Sequence, residues 1–146
     1  MTFKKILVAT DFSASSAKAM DAASRLAEVH DARISLCHAL EAPDENTLLG
    51  GSLKPLIEFS EEQRKAEAAL RADAKRAGLA ERLEDVVVRL HQPGNEVPEL
   101  AKELGCDLIV VGTHGRTGLH QLAIGSVTDR IVRHSTVPVL VVPLRE

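Results

Sequence analysis

Apolar runs and helical patterns alternate along the whole chain. Ile6 to Ala9 is a short apolar run with strand character, and Ala14 to Val29 follows with Ala19, Ala22, Ala23, Leu26 and Val29 at helical spacing. Arg33 to Leu40 alternates and reads as a second strand. Glu61 to Ala77, rich in Ala, Glu, Lys and Arg, reads as a helix closed at Gly78. Asp85 to Leu90 is a compact β-branched run, and a short helix opens near Asn95, continues through Glu99 to Leu104 and stops at Gly105. Asp107 to Val111 is apolar again, followed by a glycine-punctuated loop, a helix from about Ser126 to His134 and a final run Val137 to Val142.

This order, βαβαβαβαβ, predicts an α/β fold: one domain over residues 1–146, with a doubly wound parallel five-stranded sheet and helices on both faces. Strands buried on both sides explain why the runs are nearly continuous rather than alternating. Glu41 to Ser60 is the irregular stretch, with two prolines and the Gly50-Gly51 pair, and reads either as a flexible lid or as a tolerated surface insertion.

Composition narrows the function classes. Charged residues are 27% of the chain and the formal net charge is −3, so no basic stripe is available for nucleic acid. Trp and Tyr are absent and only Phe3, Phe12 and Phe59 are aromatic, which removes the usual stacking platforms for single strands. The N-terminal apolar run ends at Asp11, too short for a signal peptide core or a membrane span. Cys37 and Cys106 each sit inside apolar sequence as reduced thiols would, which points to the cytoplasm.

The chemistry concentrates after the fourth strand, in Gly112-Thr-His-Gly115-Arg-Thr-Gly118, continuing to Gly125-Ser126. Gly112 would let the chain leave the strand sharply, and Gly115 and Gly118 permit close backbone approach by a ligand. Gly125-Ser126 opens a helix whose N-terminus offers unpaired N–H groups to an anion. Ser126 would cap it, with Ser126-x-x-Asp129 an acidic capping box. Arg116 could add a charge-assisted contact to phosphate, and His114 could touch one or stay a solvated loop residue. The alternative is that the glycines serve turns alone. Neither GxxxxGK[ST] nor GxGxxG occurs, and no HExxH or GxSxG pattern supplies a metal site or a nucleophile.

Thr10-Asp11-Phe12-Ser13 ends the first strand, and ligands of doubly wound sheets bind beyond such ends, where strand order reverses. If the first and fourth strands are neighbours, Asp11 faces the glycine loop and could accept from ribose or hold a hydrated metal ion. It could equally be a turn or N-cap residue, a role open to Ser13 as well.

Ile6-Leu-Val-Ala-Thr-Asp11-Phe-Ser, Gly112-x2-Gly115-x9-Gly125-Ser126 and Val137-Pro-Val-Leu-Val-Val together resemble the universal stress protein family over essentially the whole chain. The resemblance is to its nucleotide-binding branch and implies a Rossmann-like sheet of order 3-2-1-4-5 holding ATP, with Mg2+, at its carboxyl edge. It implies that Thr10 and Asp11 meet the ribose or adenine side, with Asp11 the possible contact to the metal through Mg-ATP. Ala39, where relatives often have valine, would line the adenine pocket through its backbone. Val111 and Gly112 would border the ribose, and Gly115, Gly125 and Ser126 would hold the phosphates, with His114, Arg116 and Val127 as the further candidates for this site. It also implies a homodimer through the last strand, Val137 to Val142, whose apolar edge a second copy would cover, although Pro138 and Pro143, which frame the run, could instead be the edge protection. Three functions follow as expectations: an ATP-binding regulatory protein of stress response, a slow ATPase or phosphotransferase, or a nucleotide-independent interaction module. No nucleic acid or membrane partner is expected.

Overall fold

A computed structural model describes residues 1–40, 46, 49–90, 93–113 and 124–144. Its elements, in chain order, are β1 (Lys5–Ala9), α1 (Ala14–His30), β2 (Arg33–Leu40), α2 (Lys54–Arg76), a 3-10 turn (Ala80–Arg82), β3 (Leu83–Leu90), α3 (Pro93–Leu104), β4 (Leu108–Gly112), α4 (Ser126–His134) and β5 (Val139–Val142). The strands form one parallel sheet in the order β3-β2-β1-β4-β5. This is the doubly wound α/β architecture expected from the sequence.

Successive strand residues point to opposite faces, and each face has its own core. Ile6, Val8, Ile34, Leu36 and Val110 pack against the small stripe of α1 (Ala19, Met20, Ala23, Ala27) and against Ala66, Leu70 and Ala74 of α2. Leu7, Cys37, Ile109 and Val111 turn to the other face, onto Val97, Leu100 and Ala101 of α3 and Ile131 of α4. Both faces of the central strands are therefore buried, which is why those strands read as unbroken apolar runs.

Several boundaries differ from the sequence expectation. The second helix starts at Lys54, inside the stretch expected to be irregular, with Pro55 in its first turn, where a missing N–H leaves no internal bond unmade. Leu53, Leu56 and Ile57 are exposed there, so no apolar periodicity announces the start. The lid expectation for 41–60 is thus replaced by helix from Lys54 on, while residues 41–45 and 47–48 lie outside the described residues. The third helix opens at Pro93 rather than near Asn95. The fourth strand takes in Gly112, and the fifth begins at Val139, two residues later than its apolar run.

The helices end for local reasons. Asp31 caps α1 in the left-handed region (φ 52°), and Ala32 N–H returns to the Ala27 carbonyl at 2.9 Å. At the amino edge of the sheet, Lys5 Nζ lies 2.9 Å from Asp85, and Ser35, which is fully buried, donates to the same carboxylate at 2.7 Å. Asp107 accepts the main-chain N–H groups of Lys4 and Lys5 at 2.9 and 3.1 Å. These bonds hold Asp85 below the usual carboxylate range, the Lys5 and Ser35 contacts outweighing burial. Burial pulls the Lys5 ammonium down, but Asp85 and Glu84 more than offset it and raise it above 10.5.

Candidate functional site

Strand order reverses between β1 and β4, since β1 pairs with β2 on one side and β4 on the other. Above the carboxyl ends of these strands lies a cavity of about 200 Å³. Ala9, Thr10, Asp11, Ala39, Val111 and Gly112 form its strand side. Pro93 and Val97 from α3, and Gly125, Ser126, Val127, Thr128 and Ile131 from α4, form the helix side. The lining is mostly apolar with a few polar groups, the composition expected of a small-molecule site.

Of the residues singled out from the sequence, Thr10, Asp11, Ala39, Val111, Gly112, Gly125, Ser126 and Val127 are brought together here. His114, Gly115 and Arg116 lie outside the described residues.

Asp11 belongs to the turn that starts α1. Its Oδ1 accepts from the Ser13 N–H at 2.9 Å and from the Ser16 hydroxyl at 2.7 Å, while the Ser13 side chain caps the helix by accepting the Ser16 N–H at 3.2 Å. Burial would push the Asp11 carboxyl up, but the hydrogen bonds from Ser13 and Ser16 outweigh it, and the group stays ionised below its ordinary value. The site thus carries a fixed negative charge at its strand side, and Ser13 rather than Asp11 is the cap.

Gly112 is needed for a different reason from the one its sequence position suggests. It does not release the chain from the strand; it is the last, buried residue of β4. A Cβ there would stand 2.1 Å from the Ser15 hydroxyl and 2.8 Å from the Ser15 main chain, so the start of α1 packs directly on the end of β4. Only a residue without a side chain permits that approach.

The capping-box expectation for Ser126 is corrected as well. Gly125, in extended conformation (φ −62°, ψ 156°), is the N-cap, and Ser126 is already the first helical residue. The Asp129 N–H closes the first helical bond onto the Gly125 carbonyl, and the Asp129 carboxylate turns to Arg133 at 2.9 Å instead of back to the cap. By helix geometry the N–H groups of Ser126, Val127 and Thr128 head out of the first turn, and the cavity lies at that end. Gly125 N–H donates to the Thr113 carbonyl at 2.7 Å, and Thr113 N–H to the Val142 carbonyl at 3.1 Å, which ties the start of α4 to the ends of β4 and β5.

Among the cavity residues that sequence reasoning passed over, Thr128 and His38 make hydrogen bonds that shape the site. The buried Thr128 hydroxyl donates to the Gly112 carbonyl at 2.7 Å and fixes α4 to the end of β4. His38, at the end of β2, has Nδ1 2.7 Å from the Thr10 carbonyl, and its ring packs on Phe12 with centroids 4.6 Å apart. Neither lies in a recognisable motif, and both bond to main-chain atoms that only the folded register brings near. Cys37 also lines the cavity, but burial raises its thiol to about 12 and leaves it an inert wall.

The profile of the universal stress protein family matches residues 2–143. The chain is similar to the universal stress protein YxiE of Bacillus subtilis (strain 168), with 35% identity covering 96% of this chain and 99% of that one. Among solved structures it resembles the universal stress protein UspA from Lactobacillus plantarum, at TM-score 0.81 and 25% identity over 97% of this chain and 99% of the other. It also resembles a universal stress protein solved in complex with cAMP, at TM-score 0.66 and 28% identity over 99% and 100% of the two chains.

Proposed function

The chain belongs to the universal stress protein family, and from that premise we propose that its cavity binds an adenine nucleotide, ATP with Mg2+, as an effector of a stress-response regulator. The observation that carries the reading is the meeting, at the reversal of strand order, of a mostly apolar cavity with the open N-terminus of α4. The base fits the apolar part beside Ala39 and Val111. The phosphates fit the first turn of α4, where Gly125, Ser126 and Val127 present main-chain N–H groups to an anion. His114, Gly115 and Arg116 complete the phosphate side in this reading. Asp11, held ionised, supplies an acceptor for ribose hydroxyls or for the water shell of Mg2+. The complex of a related protein with cAMP supports an adenine ligand in general. In this reading the bound nucleotide acts as an effector, and none of the described lining residues is assigned the orienting of an attacking water, the task that hydrolysis would require.

The same reading has two copies joined along β5, in the cytoplasm. It is supported by exposed Leu140 on the edge strand and exposed Val127 and Val132 on the adjacent α4, and by two buried free thiols. Among the described residues no helix is long and apolar enough to cross a membrane.

Calorimetric titration with ATP and magnesium tests the site. Saturable binding at micromolar nucleotide is expected, and Ser126→Glu should weaken it by about tenfold or more, because a carboxylate in the first turn of α4 repels the phosphates. The same carboxylate favours the helix dipole, so the thermal midpoint should hold or rise. No heat and no thermal stabilisation at millimolar ATP would overturn the reading.

A further inference from the structure

The β1–β2 ladder stops at an unusual place. Its last register pair is Ala9 with Cys37, and Thr10 N–H donates to the Cys37 carbonyl at 3.0 Å. In a parallel ladder two further bonds would follow on the same side: Ala39 N–H to the Thr10 carbonyl, then Phe12 N–H to the Ala39 carbonyl. Both partners are diverted. The Thr10 carbonyl is held by His38 Nδ1 at 2.7 Å, and Phe12 N–H donates to the Thr10 hydroxyl at 3.0 Å. A carbonyl only accepts, so Nδ1 carries the proton. Phe12 sits at φ 65°, a left-handed conformation rare for a bulky side chain, and its ring packs against His38. The chain is thus turned away from β2 immediately after Thr10, while Ala39 remains on the cavity wall.

We propose that His38 is a positioning residue for base selection: by occupying the Thr10 carbonyl, while the Thr10 hydroxyl takes the Phe12 N–H, it ends the ladder two bonds early and leaves the main-chain N–H and C=O of Ala39 turned together into the cavity. The inference rests on the nucleotide reading above and adds the reason for a base preference. Adjacent donor and acceptor on one peptide edge match the N1 acceptor and 6-amino donor of adenine. Guanine and hypoxanthine present the reverse, an N1–H beside a 6-oxo group, and would set donor against donor and acceptor against acceptor. His38 need not touch the nucleotide; it keeps the strand from closing the slot.

Two measurements test this. In the nucleotide-free protein, amide exchange followed by NMR should find the Ala39 N–H fast, whereas in His38→Leu the released Thr10 carbonyl accepts it and exchange slows. His38→Asn, whose side-chain amide can donate from near the Nδ1 position, should behave as the unaltered protein. In titrations, His38→Leu should reduce the preference for ATP over ITP about tenfold, the scale of one hydrogen bond, while inorganic triphosphate binds unchanged. His38→Asn should restore the preference. An Ala39 amide already protected in the unaltered, ligand-free protein overturns the inference without any variant, and so does an ATP preference that survives His38→Leu. If no nucleotide binds, the nucleotide reading fails on its own, and the amide exchange still decides whether His38 holds the rung open.

Discussion

The two edges of the sheet are built on opposite plans. At the amino edge, polar groups are matched to one another: Asp85 takes Lys5 and Ser35, and Asp107 takes the main chain at Lys4 and Lys5. At the carboxyl edge the ladder is cut short, Phe12 is held in a costly conformation, and α4 starts without a side-chain cap. Local strain and open hydrogen-bonding groups gather where the cavity is, and the opposite edge holds the strands in place. A parallel sheet can divide its labour in this way because every strand points its carboxyl end toward the same side.

The sharpest way to break the comparison is Gly112→Val. Its side chain would displace the start of α1 from the end of β4, because the nearest obstacles include the Ser15 main chain. Overpacking of this kind should cost about 3 kcal/mol and lower the thermal midpoint by roughly 10 °C, measured by calorimetry. A midpoint within a degree or two of the unaltered protein would show that α1 and β4 can separate freely, and the carboxyl edge would then be looser than described.

Asp85→Asn tests the other edge and should do less, about 1–2 kcal/mol, since the charge-assisted bond from Lys5 is lost at a partly exposed position. Its signature is in the pH dependence. Asp85 is depressed in the folded state, so its contribution is present above its ordinary value of 3.8 and disappears as pH falls through the lower folded value. Lys5 is raised, so its share persists to 10.5 and is lost at still higher pH. Denaturant titrations between those limits should find a constant deficit for Asp85→Asn, and the deficit should shrink in acid. A deficit that grows on acidification would contradict the assignment.

How much of this was legible beforehand depends on whether a residue's partner is near in sequence or is generic. The strands were legible because burial on both faces writes itself as an unbroken apolar run. Asp11 was legible as a turn or site residue, and its partners Ser13 and Ser16 stand within one helical turn. Gly112 was found for the wrong reason, since nothing in its neighbourhood announces that Ser15 will lie against it. Thr128 and His38 were passed over because each bonds to a carbonyl that only the folded chain delivers, from α4 back to the end of β4 for Thr128 and across the parallel β1–β2 register for His38. The start of α2 was missed because its first turns are exposed and lack the periodicity that marks a buried face.

The smallest effect separates the two helix starts that border the cavity. Ser13 caps α1 with its side chain, and Ser13→Ala should cost about 1 kcal/mol because the Ser16 N–H loses its acceptor. Ser126 sits one position inside α4, where Gly125 is the cap, so its hydroxyl has no such bond to lose. Ser126→Ala should therefore stay within about 0.5 kcal/mol of the unaltered protein, and alanine's helix preference works in its favour. Had Ser126 been the cap, as its spacing to Asp129 suggested, the two substitutions would cost the same. Equal losses in paired denaturant titrations would return Ser126 to the capping role and place the helix start one residue later. A clear gap between them leaves the first turn of α4 uncapped by any side chain, its N–H groups open toward the cavity.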